Sequence, residues 1–234
     1  MAESQIALIG GQLRFLSKYF LKKNEELVHG ADILAGYLNE SSEYVNDIDK
    51  QNMTRELLTL QFIADAVDNQ FHYEKDEIMH ELVKLVIYDA LVGNNDRHFF
   101  NWGVVRSLNN SSRPIFSPIY DTARGLFWND SDDKIAQKLS QNVDSYIAKY
   151  SNNSKPKIGW EEEKDINHFQ LFEKIYKKEF YISRNEIKSL LLQSVLEKMK
   201  GLAIKSFIPL MGVNRVTMIC KCLEYRFNVL TQLL

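Results

Sequence analysis

The sequence predicts a mainly α chain of the α+β class, a helix-rich domain built around one central β-hairpin. Three observations carry this. Residues 74–92 place Ile78, Leu82, Leu85, Val86, Tyr88, Ala90 and Leu91 at helical spacing, and in the second half the apolar positions run round nearly the whole circumference. A helix patterned that way belongs at the centre of a core. Residues 214–234 set Val216, Ile219, Cys220, Leu223, Phe227 and Leu230 on one helical face. Strand signal is confined to residues 14–21 and to two short runs, 102–106 and 115–120, on either side of the turn-rich stretch SLNNSSR. Ser, Asn and Arg crowded between two apolar runs mark a hairpin tip.

The chain has 234 residues, enough for one domain or one large lobe with a sizeable core. Hydrophobic residues make up 45% and charged residues 26%, an ordinary globular composition. The net charge of −2 and a pI near 6.2 supply no general basic field, so neither nucleic acid nor an anionic membrane is indicated as a partner. Cys220 and Cys222 stand two apart in a helical run and point about 200° away from each other, which rules out a mutual disulfide. No C-x-x-C pair supports zinc. Reduced thiols, no basic apolar leader and no apolar stretch of about 20 residues together lead to an expected cytoplasmic location without a membrane span.

Taken in order, residues 14–21 read as a strand with Phe15, Tyr19 and Phe20, and 22–26 as a charged turn. Ile33, Leu34, Tyr37 and Leu38 give a short helix over 29–38. The polar, acidic stretch 39–50 reads as a loop. A helix is expected over 54–71 and the central one over 74–92, stopped by Gly93 and followed by Asn94-Asn95. The return strand contains Pro118, which argues for an irregular or edge position. One helix is expected over 133–150, a loop over 151–165, and a helix over 167–178. Ser183 and Glu186 form a capping-box pattern opening a helix that ends at Gly201, and the last helix follows.

The chemistry lies in residues 91–125, LVGNNDRHFFNWGVVRSLNNSSRPIFSPIYDTARG. Asp96 and Asn101 stand on a turn directly after the central helix, and Asp121 ends the hairpin's return strand. Phosphoryl transfer needs an acceptor hydroxyl held in line and metal ions that neutralise phosphate oxygens. A carboxylate such as Asp96 can orient the hydroxyl, while the amide oxygen of Asn101 and the carboxylate of Asp121 are hard oxygen donors suited to magnesium. His98 reads as a structural hydrogen bonder and Trp102 as packing. His29, His72 and His80 have no second ligand at metal spacing, and the run from Glu161 to Glu163 reads as a solvated charged face.

GNNDRHFFNWGVV followed by IFSPIYDTARG resembles the C-terminal lobe of HipA-like serine/threonine kinases, the toxin kinases of bacterial toxin–antitoxin modules and their relatives. The likeness extends back to RFLSKYFLKKNEELVHGADIL and covers roughly residues 13–130, with the helical remainder matching loosely. It implies a kinase-type fold whose central hairpin carries the catalytic and metal residues, with residues 1–25 as hinge strand and remnant of the nucleotide lobe and 26–234 as the helical lobe. It implies ATP and Mg2+ as cofactors. Asp96 becomes the catalytic base, Arg97 and His98 the braces of the catalytic turn, and Asn101 and Asp121 the metal ligands. Lys18, Tyr19 and Phe20 fall on the hinge beside the nucleotide, with Lys18 on the hinge side and not in the role of the phosphate lysine. The implied partners are a protein substrate and either a separate N-terminal lobe or an antitoxin chain. Ile9-Gly10-Gly11 does not make the G-x-G-x-x-G loop that covers phosphates, so a nucleotide cover is expected from outside these residues. Two other readings fit the residues: a non-catalytic lobe acting by association, and a relative of lipid kinases, which share a D-R-x-x-x-N-W arrangement.

Overall fold

A computed structural model describes residues 3–50, 57–163 and 165–234. The chain begins with a hairpin, β1 (Ser4–Ile9) against β2 (Gln12–Ser17), joined by Gly10 and Gly11 at φ 58° and 76°. A two-residue turn that follows the strand twist needs positive φ at both positions, which two glycines provide without strain. The expected strand is therefore shifted toward the N-terminus, and the short apolar run before it is its partner. The hairpin forms a sheet of its own and exposes Ile6, Leu8, Ile9, Phe15 and Leu16.

Strand β3 (Glu25–His29) takes the last two residues of what reads as a charged turn and runs to the start of the first helix; it pairs antiparallel with β4 (Gly103–Ser107). Strand β5 (Ile115–Phe116) completes a three-stranded sheet in the order β3-β4-β5. Regular pairing ends at Phe116, although Ser117 N–H still donates to Gly103 O at 2.9 Å, and Pro118 follows. The return strand is thus short and then irregular, in keeping with its proline.

Helix α1 (Gly30–Leu38) starts beneath the Trp102 ring. The stretch expected as a loop at 39–50 is instead partly helix α2 (Ser42–Lys50). Its Val45 and Ile48, three apart, are buried among polar neighbours, and two such positions suffice to seat one face. Helix α3 (Leu60–Gln70) begins where the Thr59 hydroxyl accepts from Phe62 N–H at 3.2 Å; positions 54–56 of the expected helix lie outside the described residues.

Helix α4 (Lys75–Val92) is the axis of the domain, with eleven buried residues, and touches α3, β5 and the later helices α7 and α10. Gly93 ends it in the left-handed region at φ 67°. The single helix expected over 133–150 is two, α5 (Asp132–Ser140) and α6 (Val143–Asn153), because Gln141 leaves helical geometry at φ −110°, ψ −89°. Helix α7 (His168–Lys178) opens on a reciprocal Asn167–Gln170 capping box.

At α8 (Arg184–Leu190) the Ser183 half of the predicted capping box forms, but the Glu186 carboxylate turns to His80 Nε2 at 2.9 Å. The helix breaks at Leu191–Leu192 and resumes as α9 (Gln193–Leu202), which runs past Gly201 through a π-helical turn (Ala203–Phe207) into α10 (Ile208–Gln232). Gly212, at φ 77° and ψ 163°, interrupts α10. Against the expectation from composition, the helical run Arg184–Gln232 contains an 18-residue window of mean hydropathy 1.2, long and apolar enough to cross a bilayer by those measures. That window is 17% buried, and the run is broken at Leu191–Leu192 and at Gly212.

Candidate active site

The last turn of α4 carries Asp89, fully buried among apolar neighbours, and from it the site is built outward. Asp89 accepts from Arg97 Nε (2.9 Å, Oδ2), Arg97 Nη2 (2.9 Å, Oδ1) and Asn94 Nδ2 (3.0 Å, Oδ1). Burial pushes the Asp89 carboxyl upward, and the guanidinium and the Asn94 amide oppose it. Arg97, also buried, donates through Nη1 to Asn101 O at 2.7 Å, Tyr120 O at 2.8 Å and Asp121 O at 3.3 Å, and through Nη2 to Thr122 Oγ1 at 3.0 Å. One guanidinium therefore joins the turn after α4 to the loop after β5.

The turn itself is tight. His98 N–H donates to Asp96 O at 2.8 Å, and Asn101 N–H to His98 O at 3.0 Å. His98 Nδ1 accepts from Phe100 N–H at 3.2 Å, so the ring braces the turn. Asn101 is buried, and its Nδ2 donates to Asp96 O at 2.7 Å. With that nitrogen committed inward, Oδ1 is the amide atom left to meet a ligand. Trp102 packs as expected, buried and stacked on Phe116 with centroids 6.5 Å apart.

Across the site, Asp121 is an exposed carboxylate at φ 46°, a left-handed conformation that a non-glycine residue holds only when its surroundings impose it. Tyr120 anchors it from behind: its hydroxyl donates to Phe100 O at 3.1 Å and lies 3.2 Å from His29 Nδ1, and burial raises its pKa. Between this loop and the N-terminal hairpin lies a cavity of about 510 Å³, lined by Phe15, Tyr88, Ile119 and the stretch 120–123.

Of the three residues expected on the hinge, Phe20 stacks on Tyr120 at 5.9 Å. Tyr19 is 78% exposed, and exposed Lys18 pairs with Glu3 at 2.9 Å. Gly10-Gly11 is a hairpin turn. Asp89 is the functional residue that sequence reasoning passed over. Its signal was a carboxylate in the apolar second half of the helix, eight positions before an arginine. Among the described residues no three His, Cys, Asp or Glu side chains gather as a metal site. The oxygen set is instead one carboxylate, Asp121, and one amide, Asn101. That suits magnesium, which keeps waters and phosphate oxygens in the rest of its shell.

No family model matches the chain. Among curated proteins it is 32% identical over 104 residues to the serine/threonine-protein kinase CtkA of Helicobacter pylori, a match over 44% of this chain and 31% of that protein. The match thus spans about a third of the relative's length. Among solved structures, the crystal structure of the Helicobacter pylori proinflammatory kinase CtkA superposes on 99% of this chain and 76% of that one, with a TM-score of 0.75 and 21% identity. The chain has the fold of that kinase. The mainly helical lobe with small antiparallel sheets is the architecture the sequence predicts, and the likeness in fold extends through the helices after residue 130, where the motif resemblance is loose.

Proposed function

We propose that this chain is the catalytic-loop lobe of an ATP-dependent protein serine/threonine kinase. The observation that carries the reading is the Arg97 clamp, which holds the backbone carbonyls of Asn101 and Asp121 on one guanidinium, with Asp96 on the same turn as Asn101. In this reading Asp96 orients the acceptor hydroxyl and accepts its proton late in transfer. Asn101 Oδ1 and the Asp121 carboxylate would hold magnesium, which would neutralise phosphate oxygens. Tyr120, Phe20 and the apolar wall at Tyr88 and Ile119 exclude water from one side of the cleft. The relative CtkA is a serine/threonine kinase by name, which supports the acceptor class. The exposed apolar hairpin favours a second role, association with a separate nucleotide lobe or an antitoxin chain in the cytoplasm, since monomers seldom leave large apolar patches uncovered.

Calorimetry with ATP and Mg2+ tests the reading together with transfer to a serine-containing acceptor. Asp121→Ala and Asn101→Ala are expected to remove magnesium-dependent ATP binding. Asp96→Ala is expected to keep binding and lose about 10²- to 10⁴-fold in transfer. Magnesium-independent ATP binding, or binding unchanged in Asp121→Ala, overturns the assignment.

A further inference from the structure

Phosphoryl transfer spreads negative charge over three equatorial oxygens, and kinase-type sites meet that charge with cations. Arg97 cannot supply one. It is buried, and its five N–H donors are engaged by Asp89, Asn101, Tyr120, Asp121 and Thr122. Arg124 is placed differently. Its Nε lies 3.1 Å from Asp96 Oδ2, and its Cζ stands 5.2 Å from the centroid of the Trp128 ring. Its side chain is 51% exposed, and among the described residues its Nη1 and Nη2 make no hydrogen bond.

The root of this side chain is fixed. Asn95 N–H donates to Arg124 O at 3.2 Å, tying it to the catalytic turn, and Leu126 N–H donates to Val92 O at 3.2 Å. Between these bonds Gly125 comes so close that a Cβ there would stand 2.7 Å from Val92 O. Asp121, Leu126 and Phe127, none of them glycine, all adopt positive φ to make the loop. The loop is held from below as well: Phe127 is fully buried against Tyr146 and Tyr150, and its N–H donates to the Tyr150 hydroxyl at 2.9 Å.

We propose that Arg124 supplies positive charge to the phosphoryl group in transfer, acting in cis from the loop that follows Asp121. The inference rests on the kinase reading above. An acceptor oxygen must come within about 2.6–3.2 Å of the Asp96 carboxylate. The phosphorus approaching that oxygen then lies within reach of a guanidinium whose Nε already touches the same carboxylate. In the free protein the Asp96 carboxylate stands in for the phosphoryl oxygens. As the acceptor hydroxyl takes its place at Asp96, the planar fork of Nη1 and Nη2 turns to the equatorial oxygens, with Trp128 behind it.

Two measurements on the full chain test this. In transfer assays, Arg124→Ala is expected to lower kcat about 10²- to 10³-fold, with KM for ATP and acceptor within about threefold. Arg124→Lys is expected to recover part of the loss, and added guanidinium part of the Arg124→Ala loss. In binding assays, Arg124→Ala is expected to keep its affinity for the Mg2+ complex of a non-hydrolysable ATP analogue and to lose at least tenfold for ADP with aluminium fluoride and Mg2+. Equal loss for both ligands, or a loss confined to acceptor KM, overturns the role of Arg124 and leaves the kinase reading standing. If the wild-type chain binds neither ligand, it does not transfer phosphate on its own, and the role of Arg124 in this chain falls with that activity.

Discussion

Asp89→Ala is the sharpest test of how the site is held. The substitution strands the Arg97 guanidinium at 2% exposure with two donors unmatched, and also removes the acceptor of the Asn94 amide. Two unit charges about 4 Å apart at an effective dielectric of 20 attract by about 4 kcal/mol. Removing one partner of a buried pair costs about 3–5 kcal/mol, because the survivor's desolvation is no longer offset. For a chain of this size, about 2–4 °C per kcal/mol predicts a melting temperature roughly 6–20 °C lower. Urea unfolding followed by circular dichroism gives the free energy. The double variant Asp89→Ala with Arg97→Met completes a cycle, and should be less destabilised than the two single changes added together. A loss below about 1 kcal/mol for Asp89→Ala, or simple additivity in the cycle, would refute the view that this pair is the site's keystone.

Two further outcomes follow from local geometry. Gly103→Ala sets a Cβ at 2.4 Å from Val28 O, inside the β3–β4 ladder where backbone cannot yield, so a thermal melt should show a loss of about 1–3 kcal/mol or more; wild-type stability would contradict the pairing of Gly103 with His29. Burial raises the Cys222 thiol to about 11, above its ordinary range. Its contribution to stability is therefore complete below the ordinary thiol pKa and declines as pH rises toward 11, while the unfolded chain ionises first. At pH 8 the native chain should show slow disulfide-reagent labelling at Cys222 and faster labelling at half-buried Cys220, and equal rates would count against the packing of α10.

The elements legible in the sequence were those whose periodicity is complete over many turns. The central helix, its Gly93 stop, the α1 helix and the β4–β5 hairpin fall close to where their residues place them. Short elements were not legible. Helix α2 shows three apolar positions in nine, Tyr44, Val45 and Ile48, and β3 begins with two glutamates whose strand conformation is set by pairing with β4. The Gly10-Gly11 turn was readable in principle, since two glycines between apolar runs are a hairpin signal. Within the site, Asp96, Asn101 and Asp121 stood out because a turn and a hairpin isolate them. Asp89 did not, because in one dimension a carboxylate on a buried helix looks like an exposed helix position. Its partner is eight residues away and appears only once the chain folds back. The same holds for Arg124, whose closeness to Asp96 is created by Gly125 approaching Val92.

The Arg97 clamp has a consequence for linkage. Asn101 and Asp121 stand twenty positions apart in sequence, yet their carbonyls share a single nitrogen, Arg97 Nη1. Releasing either loop leaves that nitrogen with fewer acceptors, so the two loops are coupled through it. A ligand of the Asp121 loop that favours the clamped arrangement raises the affinity of the Asp96–Asn101 turn for its own ligand, and reciprocity makes the two factors equal. Two short loops, each anchored by its own buried aromatic ring, Phe99 and Phe127, are thus joined through one buried arginine.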